Sequence, residues 1–220
     1  MPGAERTLRG GVATRVDSEI EVKRSRFLCQ LVRVETEDAA RAVVDDARRE
    51  HFSARHYCSA FVLGPASAPD QVRRSNDDGE PSGTAGRPML EALSGRGFID
   101  CVAVVTRYFG GTLLGAGGLA RAYSDAVLTT IEDAMVGGLV VQRERRELFS
   151  LSLPHADAGR VESELRQRGV TILGTDYGRT AVLRMAADDR ATLAALVSGI
   201  TSGASTVEPI GDEWIDIEPQ

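Results

Sequence analysis

Two glycine-rich segments, which flank a hydrophobic run, constrain this chain more than any other feature. The first reads SNDDGEPSGTAGRP from Ser75, and the second reads RYFGGTLLGAGG from Arg107. Glycine clusters where a backbone must turn with positive φ or approach another group closely. Because the two segments are also dense in charged and hydroxyl side chains, we predict that they form one site made from two turns.

The net charge excludes one broad class of nucleic-acid-binding protein. The 220 residues include 26 basic and 32 acidic side chains, which gives a formal net charge of −6. A protein that holds nucleic acid along an extended surface is usually basic, so any contact with nucleic acid or phosphate must be a local patch. The hydrophobic content of 42% predicts folded domains, and the length allows one or two of them.

The three cysteines indicate a reducing compartment. Cys29, Cys58 and Cys101 are odd in number, widely spaced and each set in strand-like sequence, so we expect reduced core residues of a cytosolic protein. No CxxC or HxxxH pattern supports a zinc site, and we predict neither a metal nor a cofactor. The apolar runs are too short to span a membrane and Met1–Gly11 has no signal-peptide core, so we expect no membrane partner.

Periodicity predicts an α/β (α+β) domain over residues 1–136. The segments Val12–Val22 and Ser25–Val34 predict strands, and Thr36 is the predicted N-cap of the helix that follows. Tyr57–Leu63 and the nearly continuous apolar run Ile99–Thr106 predict two further strands. The remaining expectations are a frayed terminus over Met1–Gly11, a surface loop over Ala66–Gln71, a short helix over Arg87–Leu93 and a long helix over Leu119–Met135.

A change of pattern near Gly137 predicts a second domain over residues 137–220. Its elements follow the order β-α-β-β-α-β, with a hairpin around Tyr177, which is the order of a ferredoxin-like split βαβ domain. Phe149 and Tyr177 are the aromatic rings that we expect to be available on its sheet. Stacking of RNA bases in the manner of an RNA-recognition motif is therefore not expected.

Spacing excludes the standard motifs that glycine-rich segments suggest. Gly110–Gly115 has the glycine spacing of a phosphate-binding P-loop, but Ala116 stands where lysine belongs. Ser82 lacks the glycine that a nucleophile elbow has two residues earlier, and Asp77–Glu80 is too compressed for an EF-hand. The GxGxxA pattern that ends at Ala120 lies too far after the strand for a dinucleotide fold.

The second glycine-rich segment retains the features of an anion site. We expect a helix to begin near Gly118, so that free backbone N–H groups and the positive end of the helix dipole face the loop. Arg121 in the first turn and Arg107 at the strand end add positive charge, and Tyr108 and Phe109 offer a stacking surface. The candidate binding residues are Arg107, Tyr108, Gly110, Gly111, Gly115, Gly117, Gly118 and Arg121.

The first glycine-rich segment is acidic and supplies the second loop of this site. Its carboxylates could neutralise the arginines in a purely structural network, or they could leave the arginines free to bind. A histidine, an aspartate and a serine could be arranged for catalysis, but structural hydrogen bonds and turn capping account for the same residues, so we assign no catalytic residue. The candidate residues of this second loop are His56, Asp77, Asp78, Glu80, Ser82, Thr84 and Arg87.

Both glycine-rich segments resemble the signature of a known family. SNDDGEPSGTAGRPML, followed by VAVVTRYFGGTLLGAGGLARAYSDAV, closely resembles the signature of the IMPACT family and of its bacterial YigZ branch. The upstream sequences ARHYCSAF and SRFLCQL are similar to the family's first strands. The resemblance is strong over Val12–Met135 and looser over the C-terminal β-α-β-β-α-β pattern.

The resemblance implies a two-domain architecture and a link to translation. The first domain would be similar to the second domain of a small-subunit ribosomal protein, a fold shared with part of elongation factor G and with a superfamily of small-molecule kinases. The second would be ferredoxin-like and similar to the C-terminal part of elongation factor G. Eukaryotic IMPACT proteins regulate translation under amino-acid starvation by competing for an activator of an initiation-factor kinase. For bacterial members the resemblance implies association with nucleic acid or the ribosome, without an established reaction.

Three hypotheses about function follow from the residues and the resemblance. The first is a cytosolic, non-enzymatic, translation-associated regulator that contacts RNA or the ribosome through the loop between Arg107 and Arg121. The second is binding of a nucleotide or phosphometabolite, extending to phosphoryl transfer if Asp77, Asp78 and Glu80 hold magnesium. The third is a protein-interaction regulator with no small-molecule or nucleic-acid ligand. The sequence leaves the oligomeric state open.

Overall fold

The computed structural model describes residues 5–218, and the chain forms two compact units. Unit 1 is Met1–Arg143 with Asp216–Gln220, and unit 2 is Glu144–Ile215. Both units mix helices with antiparallel strands, which confirms the predicted fold class. The change of sequence pattern near Gly137 marks the end of a long helix. The compact units divide later, because residues 140–143 pair with a strand of unit 1.

Unit 1 begins with a strand that the sequence does not predict. This strand, β1 (Glu5–Leu8), pairs antiparallel with residues 140–143. The prediction of a frayed terminus over Met1–Gly11 is therefore wrong for these residues, and Met1–Ala4 lie outside the described part of the chain. The sequence ERTL is too short and too polar to show a strand period, and its pairing partner comes from the far end of the unit.

A five-stranded antiparallel sheet forms the centre of unit 1. The strands are β2 (Arg15–Val22), β3 (Ser25–Arg33), β4 (His56–Leu63), β5 (Val72–Asn76) and β6 (Cys101–Tyr108). Their order across the sheet is β2-β3-β6-β4-β5. The apolar run that predicted a strand buried on both faces forms the central strand β6, whose residues are buried up to Arg107.

Strand β5 corrects a second expectation. The sequence predicts that a surface loop runs directly into the first glycine-rich segment, but Val72–Asn76 pair antiparallel with β4. The sequence VRRSN has no apolar alternation because β5 lies at the edge of the sheet, where its four residues after Val72 are exposed. Strand pairing, and not local sequence, therefore determines the structure of this segment.

Helices cover both faces of the sheet in unit 1. Helix α1 (Glu37–Glu50) packs on one face, and the side chain of Thr36 accepts a hydrogen bond from the N–H of Ala39, as an N-cap residue does. Helices α2 (Gly86–Gly95) and α3 (Gly115–Val136) pack on the other face. Nowhere in residues 5–218 is a helix long and apolar enough to cross a membrane.

Unit 2 has the strand order of a ferredoxin-like domain. In its sheet β9 lies between β7 and β8, and β10 pairs with β7. This gives the order β10-β7-β9-β8, which is typical of a ferredoxin-like β-α-β-β-α-β domain. Its core is built from apolar residues of alternate strand positions and of the inward helix faces, such as Phe149, Leu165 and Leu183. The elements are β7 (Val140–Leu153), which begins in unit 1, α4 (His155–Gln167), β8 (Thr171–Tyr177), β9 (Ala181–Ala187), α5 (Arg190–Thr201) and β10 (Val207–Ile217).

The second glycine-rich segment packs against the turn between β2 and β3. Lys23 and Arg24 form the two central positions of that hairpin turn, with φ values of 48° and 67°. Both residues are thus in the left-handed region, as a type I′ turn requires. The N–H of Gly110 donates to Oγ of Ser25 at 3.1 Å, and a Cβ on Gly110 would overlap the carbonyl group of Arg24. Only glycine allows this approach.

Replacement of Gly110 by alanine should destabilise unit 1. We expect a loss of about 1–3 kcal/mol in the free energy of unfolding, because the loop and the β2–β3 turn must separate to admit a Cβ. Gly117→Ala is the matched control, since a Cβ there meets no atom within 4 Å and its φ is not positive; it should stabilise α3 by up to about 1 kcal/mol. Urea denaturation measures both, and equal stabilities would contradict the close approach.

Candidate functional site

The predicted site residues lie at one end of the unit 1 sheet. Strand β6 ends there and β4 begins there, because the register pairs His56 with Arg107. The β2–β3 turn lies at the same end, because Arg26 pairs with Tyr108. Both glycine-rich segments start from this end. We call it the glycine end, and it comprises residues 23–26, 56–57, 76–84 and 107–121.

A buried ion pair joins the two glycine-rich segments. Nη1 of Arg107 donates to Oε1 of Glu80 at 2.6 Å, and the hydroxyl of Tyr123 donates to the same oxygen at 2.7 Å. The side chains of Arg107 and Glu80 are only 7% and 4% exposed. The guanidinium also lies against the rings of Phe27 and Phe109, at 5.5 and 5.6 Å from their centroids. Arg107 is therefore occupied by protein groups and does not present its charge to solvent.

The cysteines are buried thiols, as the sequence predicts. Burial raises the pKa of Cys58 and that of Cys29 to about 12, and it also raises the pKa of Cys101. Burial likewise raises the pKa of Tyr123, the hydroxyl that contacts Glu80. Thiols with such pKa values stay protonated at neutral pH, so they are core residues and not nucleophiles.

Asp77 organises the start of α2. Its carboxylate accepts hydrogen bonds from the backbone N–H groups of Gly83 at 2.7 Å, Ala85 at 3.0 Å and Gly86 at 2.8 Å. Ala85, the N-cap residue, has no capping side chain of its own, so Asp77 satisfies N–H groups that the helix leaves unpaired. Burial acts to raise the pKa of Asp77, but these three donors outweigh it and the pKa is lowered from its ordinary value.

Asp78 joins the start of β4 to α1. Its carboxylate accepts from the N–H of Tyr57 at 2.7 Å and pairs with Arg48 at 2.8 Å. Its carbonyl oxygen accepts from Nδ1 of His56 at 2.9 Å, so the proton must be on Nδ1 in this contact. His56 is thus held by the backbone, in line with the structural explanation for it.

The remaining candidates of the first segment do not complete a catalytic arrangement. Thr84 donates from its hydroxyl to the carbonyl of Pro81 at 2.6 Å and so stabilises a turn. Ser82 is exposed and has no hydrogen bond to His56 among the described residues. Arg87 pairs with Glu91 on the surface of α2 at 2.9 Å. The structure therefore brings no nucleophile and base together here.

Helix α3 begins at Gly115, three residues before the predicted start at Gly118. Arg121 consequently lies in the second turn and not in the first. Among the described residues no side chain caps this N-terminus, and no acidic residue lies in its first turn. At the start of α2, by contrast, Asp77 accepts hydrogen bonds from the free N–H groups. Arg121 is exposed and forms no ion pair within residues 5–218. The positive end of α3 is therefore open at the glycine end.

The sequence reasoning missed two basic residues of this end. Lys23 and Arg24 are exposed on the β2–β3 turn, and the guanidinium of Arg24 reaches the hydroxyl of Thr112 at 3.4 Å. Beside them, Phe109 is 56% exposed and Leu113 is 84% exposed. A two-residue connection between two strand-like segments was the available signal, because it places both turn residues at a sheet end.

Fold and site together define a two-unit α+β protein in which two glycine-rich segments meet at one end of the unit 1 sheet. Residues 23–131 match the Impact N-terminal domain, and residues 151–204 match a domain of unknown function, DUF1949. The IMPACT family member YvyE of Bacillus subtilis is 38% identical over 87% of this chain and 86% of that protein. The chain belongs to the IMPACT family.

Two further relatives agree with this membership. The IMPACT family member YigZ of Escherichia coli is 40% identical over 76% of this chain and 79% of that protein. A solved structure titled as a crystal structure of a hypothetical protein is 34% identical, with a TM-score of 0.58, and covers 95% of this chain and 99% of that chain. The predicted family is therefore confirmed over both units.

Removal of Arg107 should destabilise unit 1 strongly. Arg107→Ala leaves the carboxylate of Glu80 charged in a buried position, so we expect a loss of about 3–5 kcal/mol in the free energy of unfolding. Arg87→Ala removes an exposed pair within α2 and should cost about 0.5 kcal/mol or less. Equilibrium urea unfolding compares the two. Similar losses for both variants would show that the buried pair does not hold the segments together.

The contribution of Asp77 should depend on pH. Because its pKa is lower in the folded protein than in the unfolded chain, Asp77 stabilises the fold fully above the unfolded value of about 3.9, and this stabilisation is lost as the pH falls through the folded value. Asp77→Ala should cost about 0.5–2 kcal/mol at pH 7. The difference from the parent protein should narrow below about pH 4 in urea unfolding. A constant difference from pH 7 to pH 3 would contradict this role.

Proposed function

We propose that this protein is a translation-associated regulator that binds RNA or the ribosome through the glycine end. The assignment to translation is motivated by membership of the IMPACT family, whose eukaryotic members regulate translation. The three buried, unpaired cysteines fit a reducing compartment, and we assign the activity to the cytoplasm. We assign no reaction, because the candidate hydroxyl, thiol and imidazole groups are each held in structural contacts or lie apart.

The assignment of binding to the glycine end depends on one observation, the presence of glycine at position 117. Gly110 is required by a close approach, and Gly111 and Gly115 have positive φ values of 84° and 72°. Gly117 has neither reason: a Cβ there meets no atom, and glycine disfavours the helix by about 1 kcal/mol relative to alanine. Glycine at an exposed, uncapped helix N-terminus is explained if a ligand must approach the backbone N–H groups.

The charges around this N-terminus suit a phosphate backbone. The acidic residues of the first segment point to internal partners: Asp77 to the start of α2, Asp78 to Tyr57 and Arg48, and Glu80 to Arg107. Arg107 is neutralised by Glu80, whereas other basic side chains of the glycine end are exposed. The exposed basic residues of the glycine end without an ion pair in residues 5–218 are Lys23, Arg24 and Arg121.

An exposed aromatic ring completes the surface. Phe109 follows the central strand directly and is 56% exposed, while its other side lies near the guanidinium of Arg107. A ring held in this way can stack on an unpaired base, which contributes about 1–3 kcal/mol per base. Tyr108, the other candidate, points to the opposite side: its hydroxyl contacts His51, and Arg26 lies over its ring. We therefore assign stacking to Phe109.

Binding of a nucleotide or phosphometabolite is the second candidate, since the same N–H groups suit any phosphate. The carboxylates suggested for magnesium, Asp77, Asp78 and Glu80, each have protein partners. Within residues 5–218 there is no group of three or more His, Cys, Asp or Glu side chains placed to hold a metal ion. The geometry thus favours phosphate binding over magnesium-dependent phosphoryl transfer.

Binding of a labelled single-stranded RNA, measured by fluorescence anisotropy at two salt concentrations, tests the proposal. Lys23→Ala, Arg24→Ala and Arg121→Ala should each weaken binding and lower the salt slope by about 1. Phe109→Ala should weaken it by about tenfold. Arg190→Ala, which removes an exposed arginine of unit 2, is the control. If the four variants of the glycine end, without the control, all bound the RNA as the parent protein does, the proposal would be wrong. Arg107→Ala is unsuitable, because it disturbs the fold.

Three further measurements test the proposal and its alternative. Gly117→Ala should leave the protein folded but reduce RNA binding, so it distinguishes a binding defect from a stability defect. Co-sedimentation with ribosomes should follow the same order of variants as RNA binding. A thermal shift with ATP or GTP, equivalent to about 2.7 kcal/mol at 100 times the Kd, without any RNA or ribosome binding would assign the glycine end to a nucleotide.

A further inference from the structure

The edge strand β5 leaves one row of backbone groups without a strand partner. Within residues 5–218 it pairs only with β4, and its residues from Arg73 to Asn76 are exposed. Sheet edges are usually protected by proline, by a bulge, by charged side chains or by a covering element. Strand β5 contains no proline, and its register with β4 runs without a shift from Val72 to Asn76. Its exposed charged residues are Arg73 and Arg74, so this edge repels a basic strand and is able to accept an acidic one.

A groove runs beside this edge, between β5 and α1. It has a volume of about 400 Å³. Val44 and Phe61 line its apolar part. Its charged lining combines three arginines with two carboxylates: Arg41, Arg48, Arg74, Glu37 and Asp45. An added strand would lie along the edge with every second side chain directed towards this groove, because side chains alternate between the two faces of a sheet.

The free charge at this edge is positive. Arg41 pairs with Glu37 and Asp38, and Arg48 pairs with Asp45 and Asp78. The side chain of Arg74 has no ion pair or hydrogen bond in the described part of the chain. Its neighbour Arg73 donates only to the neutral hydroxyl of Ser94, at 2.6 Å. The two arginines without a carboxylate partner thus follow one another on β5, one on each face of the sheet.

We propose that β5 and its groove bind an extended acidic segment of a partner protein by β-strand addition. The segment pairs with the backbone of β5 along its 5 residues, which provides affinity. Its acidic side chains meet Arg74 on the groove side and Arg73 on the opposite side, which provides specificity. The proposal is independent of RNA binding, because it uses none of Lys23, Phe109, Gly117 and Arg121.

A second copy of this chain is a poorer occupant than an acidic partner segment. Within residues 5–218 the other edge of this sheet is β2, whose sequence RVDSEIEV is acidic. Two of its carboxylates are already paired, Asp17 with Arg15 at 2.6 Å and Glu19 with Arg26 at 2.5 Å. The β2 edge therefore offers less free negative charge to β5 than an unpaired acidic segment does.

Selection from a displayed library of random heptapeptides against the full chain identifies probes for this site. We expect the selected peptides to carry acidic residues at alternating positions. Fluorescence anisotropy with the synthetic peptides should show at least tenfold weaker binding to Arg74→Glu and unchanged binding to Arg190→Glu, which makes the same charge change on unit 2. Failure to select binders, selection of basic peptides or equal effects of the two variants would overturn the proposal.

Backbone methylation of the peptide tests strand addition with the parent protein, so it does not depend on how a variant folds. Two peptides are compared, one methylated at the amides of the odd positions and one at those of the even positions. One of them should no longer bind and the other should bind nearly as before, because alternate residues pair with the edge. Amide resonances should shift at Val72–Asn76 and α1. Binding by both methylated peptides, or shifts confined to residues 77–84 and 107–121 of the glycine end, would contradict strand addition.

Analytical ultracentrifugation of the protein without peptide tests whether a second copy occupies this edge. We expect the parent protein and Arg74→Glu to sediment as species of the same mass. A parent dimer that Arg74→Glu dissociates would assign this edge to a second copy and overturn the proposal. Because RNA binding uses other residues, Arg74→Glu should bind the labelled RNA as the parent does, so failure of either proposal can be recognised separately.

Discussion

The glycine end depends on one buried interaction, the pair of Glu80 and Arg107 with the hydroxyl of Tyr123. It connects the first glycine-rich segment, the end of the central strand and helix α3 at a single carboxylate oxygen. A buried charge without a partner is far more costly than an exposed one, so the first segment and the end of the strand cannot separate without leaving a charge unpaired. Helix α3 cannot move away without removing a hydrogen bond from the same carboxylate. These contacts hold the two segments together at one end of the sheet.

The carboxylates of the first glycine-rich segment pair with other groups of the protein, and this determines which charges are exposed at the glycine end. Asp77 satisfies the start of α2, Asp78 holds β4 and α1, and Glu80 holds β6 and α3. With these carboxylates turned to internal donors, basic residues at the same end of the sheet are exposed. A chain with a net charge of −6 can in this way present a local positive patch, which the overall composition does not show.

The sequence predicted elements whose own residues carry a signal, such as the apolar strand β6, the capped helix α1 and the order of elements in unit 2. It missed β1 and β5, because polar strands are recognised only through pairing partners that lie far along the chain or at a sheet edge. It placed the start of α3 late, because glycines at 115, 117 and 118 conceal a helix. Which acidic residue meets which arginine depends on strand register, so the individual pairs could not be predicted. The resemblance located the site but left these pairs open.

The turn at Lys23 and Arg24 has a consequence for how this protein could be engineered. Two bulky residues occupy left-handed positions that asparagine and glycine would adopt more easily, at a cost of about 1–2 kcal/mol per residue. The protein is therefore less stable than its fold permits. The stability that could be gained depends on two residues that also contribute charge to the positive patch. A stabilising redesign guided by turn preference alone would change these two positions first, and a gain in melting temperature would accompany the loss of two positive charges.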